Sequence, residues 1–194
     1  MSGVFVYTRP EERDMKSIYE SDEVSVLNKL THETLYNELY RCCGSSTWVS
    51  NMVKAMPFQS VMHLKACAEY HWYNCSEADW MEAFSNHPRI GDVNALKEKF
   101  KKNPNAWEGG EQSGADNASE TTIQSLKDGN DAYDAKFGFL FLVCATGKTA
   151  EEMLMLLTER LKNERMSEVL IAVGEQNKIT HLRLAKLLTS RSNL

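Results

Sequence analysis

Apolar residues return every three or four positions through almost the whole chain beyond residue 24, and a single run, Phe137-Gly-Phe-Leu-Phe-Leu-Val143, could pass for a strand. A lone strand has no ladder partner. The pattern therefore predicts an all-α, single-domain, bundle-like fold, with the aromatic run as a buried extended segment or a helix start. Punctuation supports the same reading. Thr31 can cap a helix carrying Leu35, Leu39 and Cys42, which Gly44 stops, and a short helix over about 46–56 ends before Pro57. Val61, Leu64, Ala68 and Trp72 mark the apolar face of the next helix. Ser76 then opens one with Trp80, Ala83 and Phe84 turned inward, and it must end at His87 because a proline disfavours helical geometry in the residue before it.

Beyond Pro88, Asp92 can cap a short helix bearing Val93, Leu96 and Phe100, and residues 103–117 are rich in Asn, Gly and Pro, as a loop is. Helical spacing resumes with Ile123, Leu126, Tyr133 and Phe137. Thr149 and Glu152 form a capping-box pattern before Met153, Leu156, Leu157 and Leu161, and a final helix is predicted over 167–188. Residues 1–24 are mixed, charged and weakly periodic, which predicts a loosely attached arm ahead of a helical domain over 25–194.

Charge and cysteine usage narrow the function. With 22 basic against 27 acidic side chains the net charge is -5, which argues against a nucleic-acid or anionic-membrane binder, whose affinity rests on surplus Lys and Arg. The longest apolar run, residues 137–145, falls well short of the roughly 18 residues a membrane span needs. No secretory signal is visible at the N-terminus. The 5 cysteines, at 42, 43, 67, 75 and 144, read as reduced intracellular thiols and not as a disulfide framework.

Three residues carry candidate chemistry. His87 stands at a helix end in Asn86-His-Pro-Arg-Ile-Gly-Asp92, in a backbone fixed by Pro88 and freed at Gly91. A rigidly held imidazole suits general acid–base work, and it equally suits capping the carbonyl end of its own helix. Glu111 and Gln112 follow Trp107-Glu-Gly-Gly110, where glycines permit close approach of a ligand, though an acid in a polar loop can simply be solvated. Arg183, between Leu182 and Leu184, can point into a pocket or snorkel to the surface. A metal reading competes, because His63, Cys67, His71 and Cys75 recur every four residues on one helix. Steps of four drift by about 40° on a helix, so all four cannot converge on one tetrahedral ion, and core-edge side chains around Trp72 are the plainer account.

Five short elements in order give the chain a resemblance. They are Cys42-Cys-Gly-Ser-Ser-x-Trp48, Trp80-x-Glu-Ala-Phe-x-x-His-Pro-x-Ile-Gly91, Glu111-Gln112, Asn130-x-x-Tyr-x-x-Lys-Phe-Gly-Phe139 and Ile179-x-x-Leu-Arg183. Over residues 27–189 the chain resembles the 2-oxo-4-hydroxy-4-carboxy-5-ureidoimidazoline (OHCU) decarboxylases, including the decarboxylase half of allantoin synthases. The resemblance implies an all-α enzyme of urate degradation, a homodimer that works without cofactor or metal and forms (S)-allantoin and CO2. It implies His87 and Glu111 as the catalytic pair and Arg183 as the substrate-binding arginine. Further substrate contacts are implied for Pro88, Gln112, Phe139, Phe141 and Val143, the last three through main-chain groups.

At position 108 relatives often carry a small hydroxyl residue that touches substrate. This chain has Glu108, so that contact is not carried over. The alternative from another class is a non-enzymatic helical protein that binds a purine-like or other anionic ligand. A cytoplasmic location is expected first and a peroxisomal one second, since Arg191-Ser-Asn-Leu194 differs by one residue from the Ser-Lys-Leu address.

Overall fold

The computed structural model describes residues 22–87 and 120–192. Among these residues the regular structure is eight helices: α1 (Asp22–Asn28), α2 (His32–Cys42), α3 (Ser46–Lys54), α4 (Val61–Tyr73), α5 (Glu77–Ser85), α6 (Glu120–Phe137), α7 (Ala150–Arg160) and α8 (Arg165–Ser192). The predicted helix after Asp92 and the loop over 103–117 lie outside the described residues.

Hydroxyl caps set five of the helix starts. Thr31, Ser45, Ser60, Ser76 and Thr149 each accept the main-chain N–H three residues on. Ser76 with Asp79, and Thr149 with Glu152, are reciprocal capping boxes. Each cap stabilises its helix by about 1 kcal/mol relative to alanine. Helix α3 stops at Lys54, two residues earlier than its periodicity suggests, because Met56 precedes Pro57 and is pushed out of helical geometry.

Helix α8 is longer than its apolar pattern at both ends. Arg165 pairs with Glu77 at 2.7 Å and Arg191 pairs with Glu38, so tertiary ion pairs hold turns that apolar spacing does not reveal. Val24 and Leu27 of α1 are fully buried. The core therefore begins inside the last three residues of the stretch read as an arm.

One buried cluster draws side chains from all eight helices. Helix α8 is its spine, packed along α1, α2 and α4, while α6 and α7 pair beside it and α3 bridges α2, α4 and α5. Indole N–H groups tie the layers together. Trp72 donates to the Val173 carbonyl at 2.9 Å, Trp48 to Ala68 at 2.9 Å and Trp80 to Trp72 at 3.0 Å.

The aromatic run takes the first of its two expected forms, a buried extended segment. Helix α6 ends at Phe137, and Gly138 adopts a φ of 80° while its N–H donates to the Asp134 carbonyl at 2.8 Å. This left-handed stop is open to glycine at little cost. It redirects the chain so that Phe139, Phe141, Leu142 and Val143 all enter the core. No strand lies beside the segment among the described residues. None of the described helices is long and apolar enough to cross a membrane.

Candidate active site

His87 is held by the junction between α5 and the turn that follows α2. The α5 ridge is anchored by Phe84, whose ring lies 6.4 Å from Trp72 and 5.3 Å from Phe139. At the helix end the N–H groups of Asn86 and His87 bond back to Ala83 and Phe84, tightening the last turn. The Asn86 amide then donates to the Gly44 carbonyl at 3.0 Å, the Glu82 carbonyl at 3.0 Å and the Tyr40 hydroxyl at 3.3 Å.

Gly44 permits this docking, because a Cβ there would stand 2.7 Å from the Asn86 amide nitrogen. Glu82 completes the junction by accepting from the Ser46 N–H at 3.0 Å and its hydroxyl at 2.9 Å. The Cys-Cys-Gly-Ser-Ser element thus positions the residue before the histidine.

The imidazole itself reaches across to α8. Its Nε2 lies 2.5 Å from Oε1 of Gln176, and the Gln176 amide nitrogen donates to the Thr180 hydroxyl at 3.0 Å. Gln176 and Thr180 are buried. Arg183 lies one turn beyond Thr180 on the same face of α8, about 10 Å along the axis from Gln176. It is only 6% exposed, so it does not snorkel. Its guanidinium donates to the Arg41 carbonyl at 3.4 Å, at the negative end of α2. One face of α8 thus carries both the partner of His87 and the expected substrate arginine.

The extended segment is clamped from behind. Arg160 donates to the Leu142 carbonyl at 2.6 Å and stacks 4.7 Å from the Phe141 ring. Its charge is met by Glu168, fully buried, at 2.6 Å. Glu168 also accepts from the Tyr133 hydroxyl and from Asn163 at 2.7 Å. Burial, and then the nearby Glu168, push the Tyr133 hydroxyl well above the usual phenol range, so it stays a donor.

Further along, the Cys144 N–H donates to Glu175 at 2.6 Å. Burial works to raise the Glu175 pKa, but bonds from Cys144 and Lys178 outweigh it and hold the carboxyl below its ordinary value. Phe139, Phe141 and Val143 are all turned into the core, and with the bonds from Arg160 and to Glu175 this fixes the main chain of the segment.

Pro88, Glu111, Gln112 and Glu108 lie outside the described residues. The metal ladder does not assemble. His63 Nε2 meets the Cys67 thiol at 3.3 Å and its Nδ1 accepts from the Gln59 N–H, whereas the Cys75 thiol turns to the His71 carbonyl. Burial pushes the Cys75 pKa up to about 11, which disfavours the thiolate a metal would need. Among the described residues no group of three or more His, Cys, Asp and Glu could hold a metal ion. None of the five cysteines is joined in a disulfide.

Gln176, Thr180, Arg160, Glu168 and Glu175 are absent from the sequence-based site. A signal for some of them exists: polar Gln176, Thr180 and Arg183 repeat at steps of four and three among Val173, Ile179, Leu184 and Leu187, on a face that the apolar residues predict to be buried.

Comparison with known proteins draws these features together. A family model described as OHCU decarboxylase matches residues 28–185. The uric acid degradation bifunctional protein TTL of Arabidopsis thaliana is 36% identical over 156 residues, 79% of this chain. The match takes in 47% of that protein, so the chain spans about half the length of this curated relative. A 2-oxo-4-hydroxy-4-carboxy-5-ureidoimidazoline decarboxylase of Halalkalicoccus jeotgali is 24% identical, with 87% of this chain and 93% of the relative covered. A crystal structure of OHCU decarboxylase in the presence of (S)-allantoin superposes with a TM-score of 0.66 at 37% identity, covering 79% of this chain and 98% of the other. Matched by the family model over residues 28–185, and over 79% of its length by both a 36% identical relative and a solved structure, the chain belongs to the OHCU decarboxylase family.

Proposed function

We propose that this chain decarboxylates 2-oxo-4-hydroxy-4-carboxy-5-ureidoimidazoline to (S)-allantoin and CO2 in urate degradation. The observation that carries the reading is the mounting of His87. It is fixed at a helix junction and hydrogen-bonded to a buried amide on the face of α8 that also bears Arg183. The substrate is a small anionic ring with a carboxylate and a hydroxyl on one carbon. As CO2 leaves, the bonding pair flows into the adjacent C=N system, so no pyridoxal or thiamine electron sink is required.

The protein then has three tasks: to orient the carboxylate, to manage a proton at the hydroxyl, and to return a proton to one face of the ring. His87 takes the acid–base role, and Glu111 orients it or shares its proton. Arg183 balances the anion, a planar two-pronged task that lysine performs poorly. Pro88, Gln112 and the main chain around Phe139, Phe141 and Val143 complete the contacts.

The same reading makes the protein a homodimer. Met166 and Leu170, one turn apart on α8 and 62% and 59% exposed, supply an apolar face that suits such an interface. Light scattering tests it. Five cysteines outside any disulfide suit a reducing compartment, read as the cytoplasm ahead of the peroxisome, and imaging in the native cell decides between them.

The activity is tested by generating the substrate fresh from urate and following circular dichroism. Faster appearance of one allantoin enantiomer with added protein is expected. No acceleration would leave a non-enzymatic ligand-binding protein as the better account.

A further inference from the structure

The residues behind His87 form a directed chain of hydrogen bonds, and the direction has chemical consequences. Thr180 sits one helical turn after Gln176, and its hydroxyl donates to the Gln176 main-chain carbonyl at 2.9 Å. A hydroxyl has one proton to give. With that proton committed, the Thr180 oxygen can only accept toward Gln176, so it must meet the NH2 end of the side-chain amide, 3.0 Å away.

An amide whose nitrogen is engaged by Thr180 presents its oxygen at the opposite end. That oxygen is the atom 2.5 Å from His87 Nε2. A carbonyl oxygen can only accept, and Gln176 is fully buried, leaving no water to reverse the pattern. We infer that Gln176, oriented by Thr180, is a positioning residue that holds the ring proton of neutral His87 on Nε2 and thereby makes Nδ1 the nitrogen that takes up and returns the reaction's proton.

Without a fixed acceptor a neutral imidazole divides between two tautomers, and the wrong one presents an N–H where a lone pair is needed. An amide suits the task better than a carboxylate would, since it fixes the tautomer without adding a charge that would favour the imidazolium. The assignment also explains why two polar side chains, Gln176 and Thr180, are buried on the face of α8 that carries Val173, Ile179 and Leu184.

The inference rests on the reading of His87 as the acid–base group, and the test separates the two. Long-range 1H–15N spectra of the intact protein with labelled histidine read the tautomer directly, with His87→Asn identifying its signals among the 5 histidines. At a pH where the ring is neutral, His87 is expected to show a pyrrole-type Nε2 and a pyridine-type Nδ1. The reverse pattern overturns the assignment whatever the enzyme's activity.

Gln176→Met keeps the length and removes the acceptor, and Thr180→Val keeps the shape and removes the hydroxyl. In both, the His87 signals should move toward a mixture of tautomers. For folded Gln176→Met, kcat should fall about 10- to 100-fold, the range typical when a partner that fixes an imidazole is removed, with KM little changed. Unchanged kcat or an unmoved tautomer in folded Gln176→Met overturns the positioning role. Normal turnover by His87→Asn would instead remove the acid–base reading and leave the tautomer result standing.

Discussion

Replacing Glu168 by glutamine takes one charge from a place where the protein has no means of replacing it. The wild-type carboxylate is fully buried and meets Arg160 through Nε at 2.7 Å and Nη2 at 2.6 Å, Asn163 at 2.7 Å, and the Tyr133 hydroxyl. Every one of these neighbours is a donor. A glutamine offers one acceptor oxygen and one NH2, so whichever way it turns, donors confront donors on one side.

The larger loss is Arg160, whose side chain is 10% exposed and is left as an uncompensated cation. Breaking a buried pair in this way costs about 3–5 kcal/mol. Because the glutamine oxygen still serves Tyr133, the lower end, about 3 kcal/mol, is expected. With a urea m-value of about 2 kcal/mol/M, the midpoint should fall by about 1.5 M. Asn163→Ala, which removes a single hydrogen bond to the same carboxylate, should cost only about 1 kcal/mol. Urea unfolding followed by tryptophan fluorescence reads both. A Glu168→Gln midpoint within the error of wild type would refute the view that this network clamps the aromatic segment.

Three further outcomes follow from the same contacts. The Glu175 carboxyl sits below its ordinary 4.5 through its bonds to Cys144 and Lys178, so below that pH the unfolded chain takes up a proton first and stability falls; Glu175→Gln should flatten this acid limb in denaturation curves at stepped pH. Gly44→Ala would drive a methyl to 2.7 Å from the Asn86 amide, so it should cost about 1–3 kcal/mol of stability and lower kcat by displacing His87, measured by unfolding and turnover together. Arg183→Lys should weaken binding of an allantoin-like ligand as well as turnover, read by calorimetry, because lysine cannot reproduce a two-pronged contact.

How far the sequence foretold this structure depends on the range of the contacts. Helix starts at Thr31, Ser76 and Thr149 are legible because each rests on a side chain and an N–H three residues apart, whereas the equally local caps Ser45 and Ser60 are not among those read from the sequence. The fate of residues 137–143 was open between helix and extended chain because apolar composition serves both, and the left-handed Gly138 decides it. His87 was legible as a candidate from its proline-fixed backbone, yet its two roles could not be separated there. Its partner Gln176 is 89 residues away, and no local pattern links them. Arg160 and Glu168 likewise looked like ordinary charges of amphipathic helices, and only the packing of α6, α7 and α8 brings them to Tyr133 and Leu142.

The central claim, that His87 handles the reaction's proton, is tested most directly by the turnover of His87→Asn on freshly generated substrate. Asparagine keeps a polar side chain of similar size and removes the titratable ring. A loss of at least about 10²-fold in kcat/KM is expected, with the circular dichroism of the fold unchanged. Adding Glu111→Gln should make the double variant little worse than the poorer single one, since residues acting as a unit lose activity non-additively. Near-wild-type turnover by folded His87→Asn would contradict the account.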